Sequence, residues 1–98
     1  MEPIKHSYQA ERESLMEMIA NALQTIGYQK VGQNHELGHI SFKNNGKIYY
    51  AHIIDMDSDT ENRVAVAPGL PNLKKKKINK EIEQTIKRLF RELDLLVA

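Results

Sequence analysis

His39 stands in the run Gly38-His39-Ile40-Ser41-Phe42, and four consecutive lysines, Lys74, Lys75, Lys76 and Lys77, stand just ahead of a helical stretch. An imidazole both takes and gives a proton near neutral pH, which suits it to proton transfer at a ribose-phosphate linkage. Ammonium groups at a helix start add to the positive end of its dipole and to its unpaired backbone N–H groups, a combination that favours phosphate. Cations are costly at that end of a helix unless an anion binds, and such binding weakens steeply with salt. Each feature also has a plainer explanation: a strand histidine without a role, and a solubilising lysine loop or a contact for an acidic partner.

Other chemistries are poorly served. His35 and His39 are four apart, but Gly38 and the strand alternation around it remove the helical spacing that would bring them together. His52 falls in an adjacent strand, with the face it takes left open by the pattern. A metal site needs three or four converging ligands, so neither a metal nor another cofactor is expected. Asp55, Asp57, Asp59 and Glu61 look like a calcium loop only superficially, because the internal Gly and the closing Glu are absent. The pairs Glu11/Glu13 and Glu81/Glu83 are two apart on helices and face different ways. No Gly-rich phosphate loop or serine nucleophile motif is present, and the chain has no cysteine, which excludes disulfides and thiolate ligands.

The elements that must carry these residues follow from periodicity. Leu15, Ile19, Ala22, Leu23 and Ile26 recur at three- and four-residue steps and predict a helix over about 9–26, ended by Gly27. Ser7, Glu11 and Ser14 are competing start signals. From Tyr28 the period becomes two. A short strand over Tyr28–Val31 is followed by a cleaner one over Gly38–Lys43, with Ile40 and Phe42 on one face and His39, Ser41 and Lys43 on the other. Asn44-Asn45-Gly46 predicts a hairpin into a strand over Lys47–Asp55, in which Tyr49 and Tyr50 must face opposite ways. A polar loop and a strand over Arg63–Ala67 come next, and Pro68-Gly69-Leu70-Pro71 breaks the sheet. Ile78, Ile82, Ile86, Leu89, Leu93 and Leu96 or Val97 predict a second helix, with Lys80, Gln84, Lys87 and Arg91 on its solvated face. The expected architecture is α+β, in the order α-β-β-β(-β)-α, with two helices on one face of an antiparallel sheet and the other face open to water.

Composition sets the frame for these elements. The 98 residues suffice for one domain, 1–98, with residues 1–8 expected as a flexible N-terminus. Hydrophobic residues make up 41% and charged ones 28%, the balance of a globular chain. No apolar run is long enough to span a bilayer and residues 1–10 lack an apolar signal core, so no membrane association and a cytoplasmic location are expected. A formal net charge of +1 hides a local asymmetry, with Lys74–Arg91 strongly basic and Asp55–Glu61 acidic.

Three segments together resemble the HicA-type toxin family, small RNA-cleaving proteins with a double-stranded-RNA-binding-domain-like fold. They are Leu23-Gln24-Thr25-Ile26-Gly27-Tyr28-Gln29-Lys30-Val31, then Gly38-His39-Ile40-Ser41-Phe42, then Arg63-Val64-Ala65-Val66-Ala67-Pro68-Gly69 with the lysine-rich helix entry. The likeness spans about 15–93 through short motifs. Where family members often carry Gly-Ser before the histidine, this chain has Leu37-Gly38. The resemblance implies a metal-independent endoribonuclease acting on messenger RNA and a cognate antitoxin that covers the active face. His39 would take the catalytic position. Lys74, Lys75, Lys76 and Lys77 would meet the RNA backbone, with Lys43 as an auxiliary on the face of His39. Two other readings stand beside it. One is an RNA-binding domain that does not cut. The other is an interaction module resembling small secretion chaperones, pairing with a partner or forming a homodimer, with Tyr49, Ile53 and Ile54 at the interface.

Overall fold

A computed structural model describes residues 4–55, 61–69 and 80–97. The chain folds as α+β in the order β1 (Ile4–Tyr8), α1 (Arg12–Ile26), β2 (Gln29–Asn34), β3 (His39–Asn44), β4 (Lys47–Asp55), β5 (Asn62–Pro68) and α2 (Lys80–Val97). The five strands form one antiparallel sheet in the order β1-β5-β4-β3-β2. Strands β2 to β5 are a meander of sequence neighbours, and β1 closes the far side against β5.

The helices cover one face of this sheet. Strand alternation turns Ile40, Phe42, Tyr49, Ala51, Ile53, Val64 and Val66 toward them, and all are buried. They meet Leu15, Met16, Ile19, Ala22 and Leu23 of α1 and Ile82, Ile86, Leu89, Phe90 and Leu93 of α2 in one core. Tyr28, Phe42 and Tyr49 lie as a row of near-parallel rings, with centroid separations of 5.7 and 5.1 Å. Full burial of side chains of this size contributes roughly 1.5–3 kcal/mol each.

Local chemistry fixes the joints. At the end of α1, Gly27 is left-handed and its N–H donates to Gln24, while Tyr28 N–H donates to the Leu23 carbonyl at 2.8 Å. That is the Schellman arrangement, which satisfies carbonyls the helix leaves open. Asn45 and Gly46 both have positive φ between the paired residues Asn44 and Lys47, the two-residue turn whose twist matches a β-ribbon.

The N-terminal expectation needs correction. Ile4–Tyr8 is an edge strand, not a flexible segment, and helix α1 starts at Arg12. The alternation that makes β1 a strand is only five residues long. What holds it is tertiary: Ile4 packs on the core, His6 stacks on Phe90 at 4.1 Å, and the Tyr8 hydroxyl donates to Asp94 at 2.7 Å. Strand β2 also runs on to Asn34, through a bulge at Val31 between its pairings with Phe42 and Ser41. The expected helix turn at Ile78 lies outside the described residues.

Candidate functional site

The face of the sheet turned away from the helices carries the candidate chemistry. Pairing places Asn34, His39, His52, Ala65 and Lys5 in one row across all five strands. A second row holds Gly32, Ser41, Tyr50 and Ala67, and Lys43 lies opposite Ile48 beyond it. Toward the other end of β4, Ile54 pairs with Arg63, and Arg63 with Ser7. His39, Lys43, Tyr50, His52 and Lys5 are exposed.

Backbone pairing brings the two histidines together. The Ile53 N–H donates to the Gly38 carbonyl at 2.8 Å, which makes Gly38/Ile53 a hydrogen-bonded pair. His39 and His52 therefore occupy the adjoining non-hydrogen-bonded site, where opposed Cα atoms approach to about 4.5 Å and side chains are closest. Their rings stand 4.1 Å apart between centroids, tilted by 51°.

The turn before His39 is held from two sides. Gly38 has φ +68 and is packed so tightly that a Cβ there would lie 3.3 Å from both the Arg12 guanidinium and Ile53 Cβ. Arg12 donates to the carbonyls of His35 and Glu36, and Leu37 N–H donates to Asn34 Oδ1 at 3.0 Å. The start of α1 thus anchors the β2–β3 turn, and Gly38 lets the chain enter β3 with His39 facing water.

Among the described residues, charge on this face has one sign. Among the described residues its side chains include Lys5, Lys43 and Arg63 and no carboxylate. Helix α2, by contrast, balances Lys80, Lys87, Arg88 and Arg91 against Glu81, Glu83, Glu92 and Asp94. Helix α1 sets Arg12 against Glu13 and Glu17. The cations frame the histidine pair. Lys43 lies four residues along β3 from His39, about 13 Å away, and Lys5 lies two strands across from His52, about 10 Å away. Arg63 is the diagonal neighbour of His52, at about 7–8 Å between Cα atoms. Tyr50 is 48% exposed, the counterpart of Tyr49, which is fully buried.

The structure brings His39 and Lys43 onto one face, as strand alternation predicts. Lys74, Lys75, Lys76 and Lys77 lie outside the described residues, as do Asp57 and Asp59. His35 is not part of the cluster; it sits at the β2–β3 turn, with its Nε2 2.6 Å from Gln33 Nε2. No group of three or more His, Cys, Asp or Glu positioned to hold a metal is found among the described residues. Sequence reasoning missed Lys5 and Arg63 and left His52 unplaced. A signal existed for His52: once Tyr49 is assigned to the core, the period of two puts position 52 opposite it. Tyr49 and Ile53 are core residues, so of the three positions proposed for a protein interface only Ile54 lies on the open face.

The arrangement can accept a polyanion across an open, cationic surface and offer imidazoles to it at the centre. No helix among the described residues is long and apolar enough to cross a membrane. No protein-family model matches the chain, and no curated protein matches it.

Proposed function

We propose that this protein is an RNA-binding ribonuclease of the HicA type that works through the open face of its sheet. The observation that carries the reading is the union of His39 with Lys43, Lys5 and Arg63 on one sheet face that, among the described residues, carries no carboxylate. A phosphodiester chain laid over this face meets cations on several sides of an imidazole. Lys43 is too far from His39 to share its phosphate, so it holds a neighbouring one. His39 transfers a proton at the ribose 2′-hydroxyl or at the leaving oxygen, and lysines 74–77, which lie outside the described residues, are phosphate contacts on the strength of the sequence alone. On this reading the substrate is messenger RNA in the cytoplasm, and a cognate antitoxin silences the toxin by covering the same face.

The test is cleavage of a single-stranded oligoribonucleotide by the purified protein and by His39→Ala. An acid–base imidazole contributes roughly 10²–10⁴-fold, so the variant should lose at least about 100-fold in rate with its fold intact. Equal rates would remove His39 from the chemistry. A second reading, binding without cutting, is favoured by the exposed Tyr50 ring beside the histidines, which offers a base a stacking surface. Under that reading neither protein cuts, and both bind.

A further inference from the structure

We infer that His52 is the second catalytic residue of this site, and that His39 and His52 divide the two proton transfers of RNA cleavage between them. The inference rests on the ribonuclease reading above. Cleavage by the ribose itself has two proton problems. The 2′-hydroxyl must lose a proton as it attacks, and the 5′-oxygen must gain one as it leaves. A single imidazole can serve both only if it moves from one oxygen to the other, which lie on opposite sides of the phosphorus in an in-line displacement. Two imidazoles on neighbouring strands remove that difficulty.

The geometry supplies such a pair. His39 and His52 are directly opposed at a non-hydrogen-bonded site of β3 and β4, with ring centroids 4.1 Å apart. Both are exposed on the face that carries Lys43, Lys5 and Arg63. Beyond His52 in the same row come Ala65 and then Lys5. A strand of RNA laid along the row would meet both rings and then Lys5. An imidazole can act as a base or, once protonated, as an acid, the two roles that cleavage needs.

The step balances within the pair. The neutral imidazole takes the 2′-hydroxyl proton as the 2′-oxygen forms its bond to phosphorus. The bond from phosphorus to the 5′-oxygen breaks with its electron pair on oxygen, and that oxygen takes a proton from the protonated imidazole. The products are a 2′,3′-cyclic phosphate and a 5′-hydroxyl. The rings finish with their protonation states exchanged and are reset through water. Cleavage therefore consumes no co-reactant.

The experiment compares wild type, His39→Gln and His52→Gln for cleavage of an oligoribonucleotide across pH, with RNA binding and circular dichroism measured on each. Wild type should give a bell-shaped rate profile and a cyclic-phosphate end. Each variant should bind RNA and keep its fold, lose about 100-fold or more in rate, and lose one limb of the bell, the two variants losing opposite limbs. A nitrophenyl leaving group, which departs without a proton, should restore whichever variant lacks the acid and leave the other impaired. A His52→Gln protein that cuts at the wild-type rate with the bell intact would overturn the pairing while leaving the ribonuclease reading in place. A wild type that binds RNA without cutting it would overturn that reading, and the pairing with it.

Discussion

At the scale of residues, the role proposed for His39 can be separated from stability. The imidazole is exposed, so His39→Ala should unfold within about 0.5 kcal/mol of wild type. Its neighbour behaves differently. Gly38→Ala forces a side chain into a left-handed conformation and against Arg12 and Ile53, and should cost about 1–2 kcal/mol in chemical denaturation. Tyr8 gives a pH signature. Burial, and then its hydrogen bond to the Asp94 carboxylate, pushes the Tyr8 phenol well above its ordinary pKa of 10.0. The neutral hydroxyl therefore contributes stability that is fully present below pH 10 and lost as pH rises beyond it. Tyr8→Phe should cost about 1 kcal/mol at neutral pH and flatten the alkaline fall, both visible in denaturant midpoints measured from pH 7 to 11. An alkaline fall as steep in the variant as in wild type would assign it to another group.

At the scale of elements, the parts written as long periodic patterns were legible and the short ones were not. Helix α1, the hairpin at Asn45-Gly46 and the outward facing of His39 and Lys43 follow from spacing and turn chemistry, because those rules act locally. Helix α2 shows its stripe as well, although its core side includes Thr85 and Phe90 beside the isoleucines and leucines. Strand β1 was hidden because five residues of mixed polarity carry little pattern, and its stability comes from distant partners, Phe90 and Asp94. His52 was hidden for a related reason. Strand β4 reads Lys-Ile-Tyr-Tyr-Ala-His-Ile-Ile-Asp, apolar on both faces, so its parity is settled only when Tyr49 is seen in the core. Removing residues 1–8 strips the burial of Tyr8 and the packing of Ile4, and should lower stability by about 3 kcal/mol. A flexible N-terminus would leave the denaturation midpoint unchanged.

At the scale of the whole molecule, the layers divide the labour. One face of the sheet is spent on the helices and the core, and the other, among the described residues, displays cations and imidazoles. The net charge of +1 conceals this, because the charge of α2 cancels within the helix while that of the open face does not. Binding of a single-stranded oligoribonucleotide should weaken with salt. Lys5→Gln, Lys43→Gln and Arg63→Gln should each flatten the plot of log affinity against log salt, by about 0.7 for every phosphate no longer neutralised. Unchanged slopes in all three would place the RNA elsewhere. The most direct measurement is an amide chemical-shift titration of the folded protein with such an oligoribonucleotide. The predicted result is a contiguous set of perturbations at Lys5, His39, Ser41, Lys43, Tyr50, His52, Arg63 and Ala65, with the solvent side of α1 and α2 silent. Perturbations confined to the helices, or none at concentrations that saturate binding, would contradict the assignment of the open sheet face to RNA.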